Sequence, residues 1–445
     1  MVVNKADTIF ALSTPLGRSG VAVVRISGNK SLYALSLLGV REGIEPRVAT
    51  CRMLYDQQGR PIDQAVVLYF PSPASFTGED VVELQTHGSI AVIRAIFSIL
   101  QTIFRIASPG EFSLRAFLNG KVDLTRAEAI ADIINAETDA QLRQAVSQST
   151  GLLEKQYTAW REALIDVLSD LEAGIDFPED VDFSNMEDKV RQKIELLKGM
   201  LSQHLDDGNK GEILRRGMRI VILGKPNAGK STLFNSIARR NAAIVSSQPG
   251  TTRDVLEVSI DLRGYPFTIV DTAGIRESSD VVEQEGIRRA IEEAWNADIR
   301  VVMCPYGSVD DIDDINAISC IEDERTIWVL SKADDCTSEI VNVGGRTFYP
   351  ISVYKEQTIR DLLSVIFGKS EERFPRDGDI LITSQRHRAH IQRAHAQLSM
   401  IERSMPVEIV AEHLRLTAQE IGKVTGVVCG DNIIDDIFGK FCIGK

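Results

Sequence analysis

The sequence is poor in several residue types, and each shortage narrows the possibilities. Six cysteines occur in 445 residues, at Cys51, Cys304, Cys320, Cys336, Cys429 and Cys442, and none forms a C-x-x-C pair. A disulfide framework or a structural zinc site is therefore not expected, and the reading is of a reduced, cytoplasmic chain. No apolar run approaches the ~18–20 residues of a membrane span. The first residues, MVVNKADTIFALS, carry Asp7 and only a short apolar stretch, which makes a poor signal peptide. Positive charge is also short: 50 Lys and Arg face 63 Asp and Glu, a formal charge of −13. That balance argues against a protein that coats nucleic acid nonspecifically, since such affinity comes mainly from phosphate neutralisation. It leaves room for a local basic face. What is present is ordinary globular material, 44% hydrophobic and 25% charged, enough for sizeable cores. At ~100–200 residues per domain, the length predicts about three domains.

The texture changes along the chain. Residues 1–118 read as an α+β domain: VAVVRIS (21–27) and AVVLYF (65–70) are short, β-branched and bounded by turn residues, and a helical run follows at 90–104. Most of 125–172 lacks proline and shows helical apolar spacing, with Leu152, Tyr157, Trp160, Leu164, Val167, Leu168 and Leu171 near one face. The turn-rich IDFPEDVDF (175–183) ends it, and a further helix is predicted over 186–206. From Met218, MRIVILG, YPFTIVDTAG, RVVMC and TIWVLSKAD alternate with helical stretches, which predicts a parallel sheet with crossover helices. The expected boundaries are 1–118, a helical domain beginning at 119–216, an inserted α/β domain at 217–369, and the second helical part at 370–445. The fold class is thus α/β plus α.

Within the α/β stretch, Gly224-Lys225-Pro226-Asn227-Ala228-Gly229-Lys230-Ser231 fits G-x-x-x-x-G-K-[ST], after a strand and before a helix. Glycines allow close backbone approach, and successive N–H groups with the helix N-terminus then face phosphate oxygens. Lys230 supplies a cation to the β- and γ-phosphates, and Ser231 a hydroxyl for Mg²⁺. Ala228, Gly229 and Thr232 complete the cradle. Thr251-Thr252-Arg253-Asp254 follows, where Thr252 can meet Mg²⁺ and the γ-phosphate. Asp271-Thr272-Ala273-Gly274 ends a strand, where a carboxylate can hold the Mg²⁺ shell and Gly274 can follow the γ-phosphate. Ser331-Lys332-Ala333-Asp334 resembles the guanine-reading N-K-x-D, with Ser331 in place of Asn. A carboxylate at Asp334 accepts from guanine N1–H and the 2-amino group, which adenine lacks, so GTP is selected. Ile351-Ser352-Val353 resembles the last, weak GTPase motif. Four such strings in order, on the right elements, define a GTPase.

Further segments run along the whole length: PLGRSGVAVVRISG (15–28), FTGEDVVELQTHG (76–88), PGEFSLRAFLNGKVDLTRAEAIADII (109–134), KPNAGKSTL (225–233), PGTTRD (249–254), DTAGIRE (271–277) and FCIGK (441–445). Together they resemble the MnmE (TrmE) family of bacterial tRNA-modification GTPases. The resemblance implies a dimerising, folate-binding N-terminal domain, a helical domain, and a Ras-like G domain inserted into it. It implies modification of tRNA wobble uridine 34 at C5 with an aminomethyl or carboxymethylaminomethyl group. It further implies a FAD-dependent partner, MnmG or GidA, and a one-carbon unit from 5-formyl- or methylene-tetrahydrofolate. GTP hydrolysis in the family depends on K⁺, which is held at the position of Asn227 and by the loop containing Ser246, Ser247, Gln248, Pro249, Gly250, Thr251 and Thr252. Ser246, Gln248 and Thr251 are the carried-over K⁺ positions. The ion takes the place of an arginine finger, for which Arg253 and Arg276 are the alternatives. Ile275 stands where a Ras-type glutamine would orient water, and the resemblance gives that task to Glu283, in an otherwise ordinary acidic helix start. The folate positions carried over are Arg25, Glu83, Lys121 and Lys445, with Cys442 nearby as a candidate catalytic thiol.

Other features have plainer readings. Glu83 and His87 stand four apart and are expected on one helix face, as a metal pair or as a packed or surface histidine. Cys442 is fourth from the end, but Gly444 and Lys445 fit a prenylation signal badly; a buried Cys442 in a packed tail is the alternative. Residues 385–395 hold three of the six histidines and several arginines, either a solvated helix or the best local face for tRNA phosphate. A ribosome-assembly GTPase is the competing function, but such a protein would carry a basic RNA-binding appendage. A scaffold with vestigial nucleotide binding is opposed by intact Lys230, Ser231, Thr252 and Asp271.

Overall fold

The computed structural model describes residues 7–41, 43–176, 183–207, 209–240, 256–271, 291–307, 322–375, 381–428 and 430–445. They form two compact units: Met1–Ala131 with Gln148–Met186 and Met400–Lys445, and Asp132–Ser147 with Glu187–Ser399.

The first unit is built on a six-stranded sheet of β1 (Ile9–Leu12), β2 (Ser19–Ser27), β3 (Thr50–Tyr55), β4 (Pro61–Phe70), β5 (Val81–Gly88) and β6 (Arg105–Ile106), in the order β3-β4-β5-β2-β1-β6. Neighbours are antiparallel except β1 and β6. Strand alternation sorts the residues. Val82 and Leu84 of β5 join Val24, Ile26 and Val67 in a core with Ile96 and Leu100 of the helix Ile90–Leu100. Glu83, Gln85 and His87 take the other face. The helix expected for Glu83 and His87 is therefore a strand. The metal pair does not form there either: Glu83 bonds Arg25, and His87 bonds Asp63 at 2.7 Å.

The helix Leu152–Asp176 packs on Val407–Thr425. Its buried stripe is Leu153, Tyr157, Trp160, Leu164, Val167 and Leu171, at alternating steps of three and four. Leu152, expected on that face, is 38% exposed while Leu153 is 1% exposed, because the stripe continues from Leu153 to Tyr157. The segment Glu111–Leu118 is a helix whose Arg115 is 1% exposed and ion-paired to Asp7 at 2.5 Å, Glu79 at 3.0 Å and Glu111 at 3.1 Å. Glu111 also bonds Arg105 at 2.6 Å. Burial works against the Glu111 charge, but the two arginines and the Ser108 N–H hold its carboxyl below the usual range.

The second unit holds a seven-stranded sheet: β7 (Met218–Gly224), β8 (Leu256–Leu262), β9 (Tyr265–Asp271), β10 (Ile299–Pro305), β11 (Thr326–Ser331), β12 (Val341–Val343) and β13 (Arg346–Pro350), in the order β12-β13-β11-β10-β7-β9-β8. Its five central strands are parallel and the two edge strands antiparallel. The central strands are apolar almost throughout, as expected for strands buried on both faces. The helices Lys230–Arg240 and Glu356–Ser370 contribute Leu233, Phe234, Ile359 and Ile366 to the core.

The basic stretch 385–395 lies in the helix Gln385–Ser399 of this unit, and it is not a solvated basic face as a whole. His387 is 1% exposed, His390 is buried, and Arg388 pairs with Asp207 at 2.6 Å and Glu212 at 3.0 Å. The acidic partners draw Arg388 inward, and the histidines fill the apolar side of the helix with Ile391 and Ala394.

Candidate functional site

The strand β7 delivers the glycine-rich loop, and each step of it has a physical reason. Gly224 has φ +147°, and a Cβ there would lie 2.4 Å from the Met303 carbonyl oxygen, so β10 leaves no room for a side chain. Asn227 takes the left-handed conformation at φ +62° with its side chain exposed, a conformation asparagine tolerates better than most residues. Lys230 opens the helix Lys230–Arg240, and its Nζ donates to the carbonyls of Gly224 at 2.8 Å and Lys225 at 3.0 Å. The ammonium is thus held inside the loop it serves. Ala228 is buried beneath the loop, while Ser231 and Thr232 of the first helical turn are exposed. Asp271 is fully buried at the end of β9, in register with Ile222 of β7.

The base-reading strand ends beside this loop. Ser331 is 3% exposed, and its Oγ lies 2.6 Å from the Ala228 carbonyl oxygen and 3.3 Å from that of Cys304. At the position where N-K-x-D has Asn, Ser331 thus bonds the main chain of the phosphate loop. Lys332 has φ +56°, and Ala333 N donates to Ile351 O at 3.1 Å. Asp334 Oδ1 accepts from Ser352 Oγ at 2.5 Å, and Lys355 Nζ donates to the Asp334 carbonyl. Ser352, the centre of the weakest motif, thus orients the carboxylate. Burial pushes the Cys304 thiol up, against the pull of Lys225 and Arg346, so it stays a neutral packing group beneath the site. Ser246, Ser247, Gln248, Pro249, Gly250, Thr251, Thr252, Thr272, Ala273, Gly274 and Glu283, with Arg253 and Arg276, lie outside the described residues.

A second polar constellation lies in the first unit. Arg25 on β2 and Glu83 on β5 are register partners, and Nε and Nη2 of Arg25 both meet Glu83 Oε1 at 2.8 Å. The guanidinium stands 5.6 Å from the Phe76 ring centroid and 5.7 Å from that of Phe112. Sequence reasoning missed both aromatics, although Phe76 opens the FTGED string. The FCIGK segment comes alongside: Gly444 O accepts from Ser13 Oγ at 3.1 Å, and Phe112 N donates to Lys445 O at 3.2 Å. Gly444 has φ +94°, and a Cβ would stand 2.3 Å from the Leu12 carbonyl oxygen. Burial and the nearby Arg25 pull the Lys445 ammonium below its ordinary value, opposed by Glu83 and Cys442. Arg25, Glu83 and Lys445 are therefore together. Lys121 packs against the loop at Gly78, where a Cβ would meet its Cε at 3.2 Å. Cys442 is exposed, not buried as one reading of the tail expected; Phe441 is the residue that packs inward, with Phe438 and Leu114.

A glycine-rich loop between a parallel strand and a helix, with a Lys-x-Asp two strands away in the same sheet, makes the second unit a P-loop nucleotide hydrolase of the GTPase class. Comparison with known proteins agrees. The family described as "MnmE helical domain" matches residues 124–442, and "GTP-binding protein TrmE N-terminus" matches residues 8–121. A tRNA modification GTPase MnmE of Anaplasma phagocytophilum is 63% identical over 446 residues, covering 100% of each chain. One from Anaplasma marginale is 59% identical over 444 residues, again covering 100% of each. Among solved structures, the G domain of the T. maritima FeoB iron transporter is 19% identical, with a TM-score of 0.26, over 34% of this chain and 98% of that one. The chain belongs to the MnmE family of tRNA modification GTPases. It is a GTP hydrolase with a multi-domain layout that includes a helical domain and a G domain. Among the described residues, no helix is long and apolar enough to cross a membrane.

Proposed function

We propose that this chain is a K⁺-dependent GTPase that works as a cytoplasmic homodimer. With a FAD-dependent partner of the MnmG/GidA type, it installs an aminomethyl or carboxymethylaminomethyl group at C5 of tRNA wobble uridine 34. The proposed domains are 1–118 for folate binding and dimerisation, 119–216 and 370–445 for the helical domain, and 217–369 for the G domain. The observation that carries the reading is the convergence of Arg25, Glu83 and Lys445, because it lies outside the nucleotide site and suits a folate. Arg25 uses Glu83 Oε1, so the other carboxylate oxygen can accept from the N–H groups of an aminopyrimidine-type ring. The cations Arg25, Lys121 and Lys445 suit the glutamate tail, and Phe76 gives the ring a flat neighbour. Bound there, a tetrahydrofolate supplies the one-carbon unit.

In the nucleotide site, Asp334 reads the guanine edge, and the loop N–H groups with Lys230 hold the phosphates. The hydroxyl of Ser231 and the carboxylate of Asp271 suit Mg²⁺, a hard cation that takes oxygen ligands. The exposed amide oxygen of Asn227 suits K⁺ for the same reason. The two cations supply positive charge for the phosphate oxygens as the γ-phosphoryl group departs. Glu283 orients the attacking water.

Three measurements test this. GTP hydrolysis should be faster in K⁺ than in Na⁺, and slow in Glu283→Ala with GTP still bound; equal rates in the two salts remove the ion. Calorimetry should detect 5-formyltetrahydrofolate binding, and no heat removes the folate. Mass spectrometry of wobble uridines from cells lacking the protein should show loss of an aminomethyl-type group, and its persistence removes the tRNA role.

A further inference from the structure

We propose that Ser331 is a positioning residue that fastens the phosphate loop to the base-reading strand, and that this chain therefore leaves guanine N7 unread at position 331. The inference rests on the assignment of Asp334 to the base. A serine hydroxyl carries one proton to donate. At Ser331 both acceptors within reach are main-chain carbonyls, Ala228 O of the phosphate loop at 2.6 Å and Cys304 O of β10 at 3.3 Å. Ser331, Ala228 and Cys304 are all buried, so the proton has no reason to leave them for solvent or ligand.

The bond joins three strand ends. Gly224 at the end of β7 lies against Met303 O of β10, Tyr306 N following β10 donates to Ser331 O at 2.7 Å, and Ser331 Oγ returns to the loop after β7. A shift of the base-reading strand is thereby transmitted to the loop that holds the phosphates. Guanine presents two acceptors, O6 and N7, besides the N1–H and 2-amino donors. Asp334, an acceptor when ionised, serves the donors only. A longer amide side chain at 331 has two N–H groups and so one to spare for the base; a hydroxyl has none.

The test is equilibrium binding to the full-length chain with GDP, 7-deaza-GDP, which lacks the N7 acceptor, and IDP, which lacks the 2-amino group. Wild type should bind GDP and 7-deaza-GDP within about twofold of each other. Ser331→Ala should weaken both by the same factor, roughly five- to tenfold, because the phosphate loop loses its tie to β11 and must be ordered on binding. Ser331→Asn should restore GDP affinity and separate GDP from 7-deaza-GDP by several-fold. A several-fold preference of wild type for GDP over 7-deaza-GDP overturns the proposal, as does unchanged affinity in Ser331→Ala. If that variant does not fold, the wild-type comparison decides alone. IDP keeps the underlying assignment separate: if IDP binds as tightly as GDP, the Asp334 reading fails, whatever the 7-deaza result.

Discussion

Gly224 and Gly444 occupy equivalent predicaments in unrelated places, each at positive φ with a carbonyl oxygen where a Cβ would stand. Gly224→Ala should push the phosphate loop away from β10 and lower guanine-nucleotide affinity more than tenfold, measured by nucleotide displacement. Gly444→Ala should instead lift the tail off β1, so that a carboxypeptidase removes Lys445 faster while nucleotide affinity is unchanged. His204 has the opposite problem, a titratable ring in a buried place. Burial pulls its pKa to about 4; Arg388 and His387 add to this, and Asp207 opposes it. The folded chain therefore binds fewer protons than the unfolded chain between about pH 6.5 and 4. Stability from this group is intact above about pH 6.5 and falls by about 3 kcal/mol as the pH drops to about 4. His204→Asn should flatten that part of a pH profile of urea unfolding; an unaltered profile would place the acid sensitivity elsewhere.

At the scale of elements, one tie that spans the first unit is ionic. Arg115 is the meeting point of Asp7, Glu79 and Glu111. Arg115→Met should destabilise by about 3–5 kcal/mol, because it leaves Glu79 without a cation and Asp7 and Glu111 with Arg105 alone. A loss under about 1 kcal/mol in denaturant titration would show that water reaches the cluster. The sequence did not disclose this network: FTGED and PGEFSLRAF are legible as strings, but nothing local says that Glu79 and Arg115, far apart in the chain, share a buried site. The phosphate loop was legible for the contrary reason, since every residue from Gly224 to Ser231 acts within one strand-turn-helix. The same contrast explains the misread strand at Glu83 and His87. Spacing four apart satisfies both a helix and a strand face, and only the pairing of β5 with β2 and β4 decides. The edge strands β8 and β12 escaped notice because each is held by one hairpin partner and has no long apolar run of its own.

At the scale of the molecule, the charge of −13 poses the question of how an acidic chain serves a tRNA substrate. Residues 385–395 were the best local answer, but Arg388 is held by Asp207 and Glu212, and His387 and His390 are buried. Arg393 lies on the exposed side of that helix, and one exposed arginine is too few charges for a phosphate track. Affinity from phosphate contacts grows with the number of phosphates neutralised, and so does its loss with salt. The chain alone should accordingly bind tRNA weakly, with a shallow dependence on salt between about 50 and 200 mM. Its mixture with the proposed flavin-dependent partner should bind tightly, with the steep dependence that the partner shows by itself. Arg393→Glu should leave both slopes unchanged. Fluorescence anisotropy with labelled tRNA reads each of these slopes. A steep slope for the chain alone, abolished by Arg393→Glu, would return the tRNA grip to this helix. A shallow one leaves the grip on the polyanion to the proposed partner.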